Sequence, residues 1–535
     1  MTEPMANPLK FARTVPWKPL ATGLLLTLVW LPLVALWIGG QADGSGFRWL
    51  GDAAFTGALR RSGLLLASLI ATGLFIGLPA GVWIGLHPFR GRSLFLGMQC
   101  LPLLLPPFLV SIGLSFLRPW LPYAQQDWVD GLSGCVLTGA QRVIPVALVT
   151  AVLTTFRIPP NQRAAAAMAG GEPLLFRRVC RRVFAVVAAA TVLASLHVLA
   201  DPGPAQIMGY HGAASEILIA FSARYDVAQA GQKAMSLTLL LIPILLPVVA
   251  ILSRSLRNLL THRDTVGVGP ESDAGPSVPG RSGSTALLAW GLTGLLFGPV
   301  ILGLLRPLLV PTITGVAGQA WKALTSTLGV TLLHAATAGL TATIVGWSAA
   351  ELAGRSPRHR SVWLWSAFLL LSLPASLYAL GVAWLSGQMP LGLEPLVRSR
   401  WRVGITLGFC LSPMSVLLGL WSRALLSPRM EEQATLMGVS RGRFAGSVLL
   451  PLLLPALIAS TLAVAVLAAA EVAPTLLLQP PGETTFPGRL FSMMDNASER
   501  LVAALATVYL GGATLAVLGV VLALAQYRRF KGIRP

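Results

Sequence analysis

Charge is what this chain lacks most. Only 11% of its 535 residues are charged, against 54% hydrophobic, and Asp plus Glu number just 20. Soluble domains carry about 25% charged residues, so this composition excludes an ordinary water-facing globule. Cysteine is scarce too: Cys100, Cys135, Cys180 and Cys410 sit in or beside apolar segments, with no C-x-x-C and no metal-ligand spacing. That pattern argues against a disulfide framework, a redox motif or a metal site. No G-x-x-x-x-G-K-[ST] occurs, so the chain has no P-loop with which to bind ATP. No nucleophile elbow or convergent catalytic set stands out, and the chain is expected not to be an enzyme. The net charge of +20 is not gathered into a basic domain or tail, so no nucleic-acid partner is expected.

What is present is a succession of long apolar runs, with a mean hydropathy of +0.72. Runs of about 18 or more apolar residues are membrane-helix candidates. They lack the period-two alternation of a barrel, and in lipid only helices or closed barrels satisfy the backbone. The expected fold is all-α and polytopic, with spans at 21–38, 62–86, 94–116, 137–156, 183–200, 234–252, 285–305, 327–350, 362–385, 403–420, 448–470 and 501–525. These twelve divide into a first set within 1–252 and a second within 285–535. The intervening 253–284 is rich in Gly, Pro and Ser and reads as a cytoplasmic linker. Lys10, Arg13 and Lys18 precede the first run, which exceeds a signal-peptide core and reads as a retained helix.

Basic residues set the orientation. The N-terminus, the linker, the C-terminus and the loops 87–92, 157–182, 351–360 and 421–447 hold 26 of the 40 basic residues but 8 of the 20 acids. This positive bias marks the cytoplasmic side of a bilayer and puts both termini there. The halves also repeat. A shift of 268 residues lays Pro106 on Pro374, Gly113 on Gly381, Pro145 on Pro413, Pro160 on Pro428, Gly170 on Gly438 and Phe176 on Phe444. Six helices is an even number, so the copies are parallel about an axis normal to the membrane, with a pathway between them.

Each half carries a polar cytoplasmic loop between its fourth and fifth helices. In the second, Glu431, Glu432, Gln433 and Ala434 open a short helix, and Gly438 permits a turn closed to residues with a Cβ. Ser440 starts the next helix, with Arg441 and Arg443 near its beginning, and the run reaches Val448 and Leu450-Pro451. The product is a compact knob suited to a groove on a soluble partner. The first copy, Ala164, Ala165, Ala166, Ala167, Met168, Ala169 and Gly170, lacks the glutamate, and Arg177, Arg178, Arg181 and Arg182 make its second part far more basic. Unequal docking of two partner subunits is one reading of those arginines; topology or anionic headgroups are the other.

The spacing Glu432-Gln433-Ala434, three residues, Gly438, nine residues, Val448, one residue, Leu450-Pro451 resembles the EAA loop of ABC-importer permeases. Gln433 and Val448 depart mildly from that pattern. The resemblance extends over the whole chain and implies a type I importer permease with a MetI-like fold in the bacterial inner membrane. It further implies two copies of an ABC ATPase docked on the loops, ATP bound by that partner alone, and a periplasmic solute-binding protein delivering a small molecule or ion. The fused form, Ala200-Asp201-Pro202-Gly203-Pro204 and Glu471-Val472-Ala473-Pro474 are similar to the iron(III)- and thiamine-type importers. A rival class is an ion-gradient-driven secondary transporter, which favours buried acids and has no need of matching knobs.

Four further residues are candidates for the pathway or outer face. Asp201 and Glu471 stand at equivalent outer helix ends, where solvated carboxylates cost little and are the simpler expectation. His197 and His334 fall in apolar helices, where a neutral imidazole bridging helices by a hydrogen bond is the simpler expectation. Pro102, Pro106 and Pro107, with Pro374 and Gly381, are expected to kink the third span of each half. The long segment 471–500 reads either as a partner-binding loop or as an ordered cap.

Overall fold

A computed structural model describes residues 17–39, 52–104, 106–224, 226–261, 282–309, 315–354, 356–389, 399–424, 426, 428–494 and 496–530. Among these residues every regular element is helical and none is a strand, as lipid demands of a backbone that must bond to itself. The first half runs α1 (Trp17–Gly39), α2 (Ala53–Leu86), α3 (Arg92–Leu104), α4 (Pro107–Leu117), α5 (Gly131–Phe156), α6 (Pro160–Leu199), α7 (Pro202–Ile207), α8 (Ala213–Ser222) and α9 (Val227–Thr261). The second runs α10 (Ser282–Leu309), α11 (Val316–Ala353), α12 (Pro357–Ser372), α13 (Ala375–Gly387), α14 (Trp401–Ala424), α15 (Pro428–Leu436), α16 (Gly442–Ala470), α17 (Ala473–Leu478), α18 (Phe486–Met493) and α19 (Glu499–Phe530).

Nine helices among the described residues are long and apolar enough to cross a membrane, and two bent pairs raise the number to eleven. The chain is a polytopic helical membrane protein. The expected span 501–525 falls inside α19, most of whose later side chains lie outside the described residues. The linker is shorter than its composition suggests, because α9 stays helical through Thr261 and α10 begins at Ser282. The remainder of that linker, 262–281, lies outside the described residues, as do Lys10, Arg13 and 531–535.

Prolines do more than kink the third span of each half. α3 and α4 meet at 89°, and α12 and α13 at 94°. Pro106 and Pro374 sit at these corners with extended backbones, ψ 131° and 134°. A proline there removes a helical donor and pushes the residue before it out of the helical region. Other boundaries recur at the same shift of 268: Pro107 and Ala375 open α4 and α13, Phe156 and Ala424 are the last residues of α5 and α14, and Pro160 and Pro428 open α6 and α15.

The first helix of each set packs on the other set. On α13, a Cβ at Gly381 would collide with the Pro32 backbone of α1, and on α4 a Cβ at Gly113 would fall 2.8 Å from Val300 of α10. The same shift carries Pro32 to Val300 and Gly113 to Gly381, so one contact is made twice with the partners exchanged. Hydrogen bonds accompany the exchange. Tyr378 donates to the Val29 carbonyl at 2.9 Å and Trp30 to Ser366 Oγ at 2.9 Å. On the other side Gln99 donates to Thr293 Oγ1 at 2.8 Å and Arg306 to the Phe116 carbonyl at 3.0 Å.

Within each set a seam of small residues brings backbones together, the usual substitute for hydrophobic drive in lipid. Gly73, Gly77, Gly81 and Gly85 recur every fourth residue along α2 and face Val143, Ala147, Leu148 and Thr155 of α5. In the second set the glycines change sides: Gly404 and Gly408 of α14 meet Thr337 and Thr341 of α11, while Gly346 of α11 meets Ser415. The described part of 471–500 packs back on the helices. Phe486 and Leu490 are buried in one cluster with Phe108, Val300 and Leu505, and the Phe486 amide donates to Thr331 Oγ1 at 2.8 Å.

Candidate functional site

Two places gather the residues marked in the sequence: the polar loops and a cavity between the two sets of helices. In the second loop, α15 is closed by Gly438 at φ +70°. The Val439 amide donates to the Ala434 carbonyl at 3.0 Å and the Gly438 amide to that of Thr435 at 3.1 Å, which satisfies the last carbonyls of the helix. This leaves an apolar tip, Leu436 and Met437, 87% and 79% exposed. Glu432 and Gln433 are exposed beside it and Ala434 is half-buried. Ser440 Oγ accepts from the Arg443 amide at 3.4 Å, so the next helix begins where the sequence placed it. Leu450 and Pro451 are exposed and follow a π-helical turn at Ala445–Leu449.

Glu431 does not belong to the tip. Its carboxylate meets Arg423 at 3.2 Å, and the same guanidinium meets Glu351 at 3.0 Å. Arg423 lies at the end of α14 and Glu351 near the end of α11, so the short helix is tied directly to two candidate spans.

The first loop is built differently. α6 bends where Gly170 and Gly171 leave helical geometry, at φ −169° and φ 69° respectively. The left-handed position is therefore Gly171, one residue beyond the Gly170 that the repeat aligns with Gly438. Gly171 pairs that φ with ψ −167°, a region open essentially to glycine alone. Ala164 and Ala165 are exposed, Ala166 is buried, and Met168 is 83% exposed. The tie to the helices is His87 Nε2 to Glu172 at 2.8 Å, with His87 Nδ1 at 3.0 Å from the Trp83 carbonyl. The doubled glycine was the visible signal for Gly171; nothing in the motif pointed to Arg423 or His87.

The cavity is lined from both sets. α5 supplies Arg142, the end of α6 His197 and Asp201, α13 Ser376, and the segment after α16 Glu471 and Pro474. Asp201 and Glu471 are thus half-buried in a cavity between the two sets. One oxygen of Asp201 accepts from the Gly203 amide at 2.9 Å and caps α7, which gives that acid a structural task as well. Both acids lie just past the candidate spans. Burial and the Asp201 charge push the Glu471 carboxyl up to about 7, with Arg142 opposing. Burial also raises Asp201, against the Gly203 hydrogen bond and Arg142. One cation and two acids share this cavity with His197 and Ser376, a setting where unpaired charge is costly.

His334 is not part of this cluster. It is 2% exposed within α11 and lies near the Arg400 backbone and the Glu483 carboxylate. Arg142 was overlooked in the sequence although its signal was plain, a lone arginine inside an apolar run; its repeat partner is Cys410. No group of three His, Cys, Asp or Glu with metal-holding geometry occurs among the described residues. No family model, curated protein or solved structure matches this chain.

Proposed function

We propose that this chain is the fused transmembrane subunit of an ATP-driven importer, with twelve spans in two parallel six-helix repeats of the MetI-like type. The observation that carries the reading is the second loop: a short helix, a left-handed glycine and an exposed Leu436-Met437 tip, tied through Arg423 to two spans. An ATPase subunit docks on each loop. Closure of the ATPase pair is passed through α15 to α14 and α11 and rocks one set of helices against the other. A periplasmic binding protein delivers the solute, which crosses at the cavity around Asp201 and Glu471. The solute class is that of the iron(III)- and thiamine-type importers, and the chain itself hydrolyses nothing.

The test replaces both tip residues, Leu436→Glu and Met437→Glu. These side chains are exposed, so the fold should keep its thermal midpoint. Co-purification of the ATPase is expected to fall at least about tenfold, since buried apolar anchors dominate such interfaces. Co-purification of the ATPase at the wild-type level by the variant would remove this role from the loop.

One observation favours the rival. Acids that line a cavity with an arginine, as Asp201 and Glu471 do, are what an ion-driven transporter uses. Uptake that runs without the ATPase and collapses with the proton gradient would select that reading.

A further inference from the structure

Four arginines on α6 have no task in the docking tip. Arg177, Arg178, Arg181 and Arg182 are all exposed. At 3.6 residues per turn they fall on one side of the helix, within about 140° of its circumference. Among the described residues no ion pair includes any of them. Arg182 does reach back to Gln162 Oε1, ahead of the bend at Gly170 and Gly171.

Their height on the helix is informative. From Val183 to Leu199 the helix carries no Asp, Glu, Lys or Arg and rises about 25 Å, close to the roughly 30 Å of a hydrocarbon core. Phe184, 49% exposed, follows the stripe at once. The guanidinium groups therefore stand at the edge of the apolar slab, at headgroup level. In the second set the shift of 268 finds Ala445, Gly446, Leu449 and Leu450 at the same places, so only one half has the stripe. Topology needs basic residues somewhere in this loop; it does not need four on one helical face at the boundary.

We propose that this stripe is a binding site for the phosphate of an anionic phospholipid headgroup. Guanidinium forks suit phosphate oxygens bidentately, and four of them at this depth favour a net anionic headgroup over a zwitterionic one. Through Arg182 and Gln162 the bound lipid also steadies the short helix of the first loop, which has a His87–Glu172 tie where the second has Arg423. Only this last consequence rests on the importer reading; the binding does not.

The full chain is placed in nanodiscs of phosphatidylcholine, alone or with about one-third phosphatidylglycerol, with no ATPase present. Phosphatidylglycerol should raise the thermal midpoint and remain bound on detergent extraction, as counted by mass spectrometry. In the variant Arg177→Gln, Arg178→Gln, Arg181→Gln, Arg182→Gln, retained phosphatidylglycerol should fall at least about fivefold and the midpoint rise should vanish. Should that variant fail to fold, the pair Arg177→Gln, Arg181→Gln is read against Arg177→Lys, Arg181→Lys, which should keep the effect. Unchanged lipid retention in the glutamine variants would overturn the proposal. So would inorganic phosphate reproducing the midpoint rise in detergent.

Discussion

Arg142 and Glu471 come from different sets of helices and line the same cavity. Glu471 there binds a proton up to about pH 7, against 4.5 in an unfolded chain. Between those values the folded protein holds a proton that the unfolded chain has released, so stability falls as pH rises through the window. Asp201 adds to the same trend. Glu471→Gln should remove most of it, flattening the thermal midpoint between about pH 5 and about pH 8 and stabilising the alkaline end by at most about 3 kcal/mol. Equal pH slopes in the two proteins would mean the carboxylate is ionised throughout. The acids were legible in the sequence as repeat-equivalent residues, but their shared cavity was not. That cavity is lined also by Ser376 of α13 and by Val472, Ala473 and Pro474, which a helix-end position does not reveal.

Among the elements, the crossings of α1 on α13 and α10 on α4 turn on single missing side chains. Gly113→Leu and Gly381→Leu each force a side chain into a neighbouring backbone, and overpacking of this kind costs about 1–3 kcal/mol. Both should lower the thermal midpoint, while Gly298→Leu on α10, with open space around it, should leave it nearly unchanged. Equal effects at all three positions would point to helix propensity instead of packing. Helix existence was readable from apolar runs, and Pro106 and Pro374 announced an interruption. Its sharpness, near a right angle in both halves, was not readable, because proline chemistry fixes where a helix breaks and tertiary packing fixes how far it turns. The four-residue glycine spacing of α2 was in plain view but carries no address; only the fold shows that α5 is its partner.

For the molecule as a whole, the repeat visible at a shift of 268 residues accounts for the twin corners and the matched helix ends. The charge pattern named a side for each loop. What no periodicity encodes is which neighbour a lipid-buried helix will choose, since apolar faces are alike to lipid. Here α1 reaches across to α13 and α10 to α4, while α1 keeps a contact with α9 and α10 one with α19. The two halves are therefore mutually clasped, each completing the other's fold. If the chain is cut between Thr261 and Ser282, the fragments 1–261 and 282–535 should behave as an obligate heterodimer. Co-expressed, they should purify together at one-to-one stoichiometry. Expressed singly, each should be degraded, because it exposes a vacated seat for a missing first helix. A half that accumulates alone and stays folded would show that the exchange is dispensable. An interlock of this kind also means that neither half can be lost or replaced without the other changing to match.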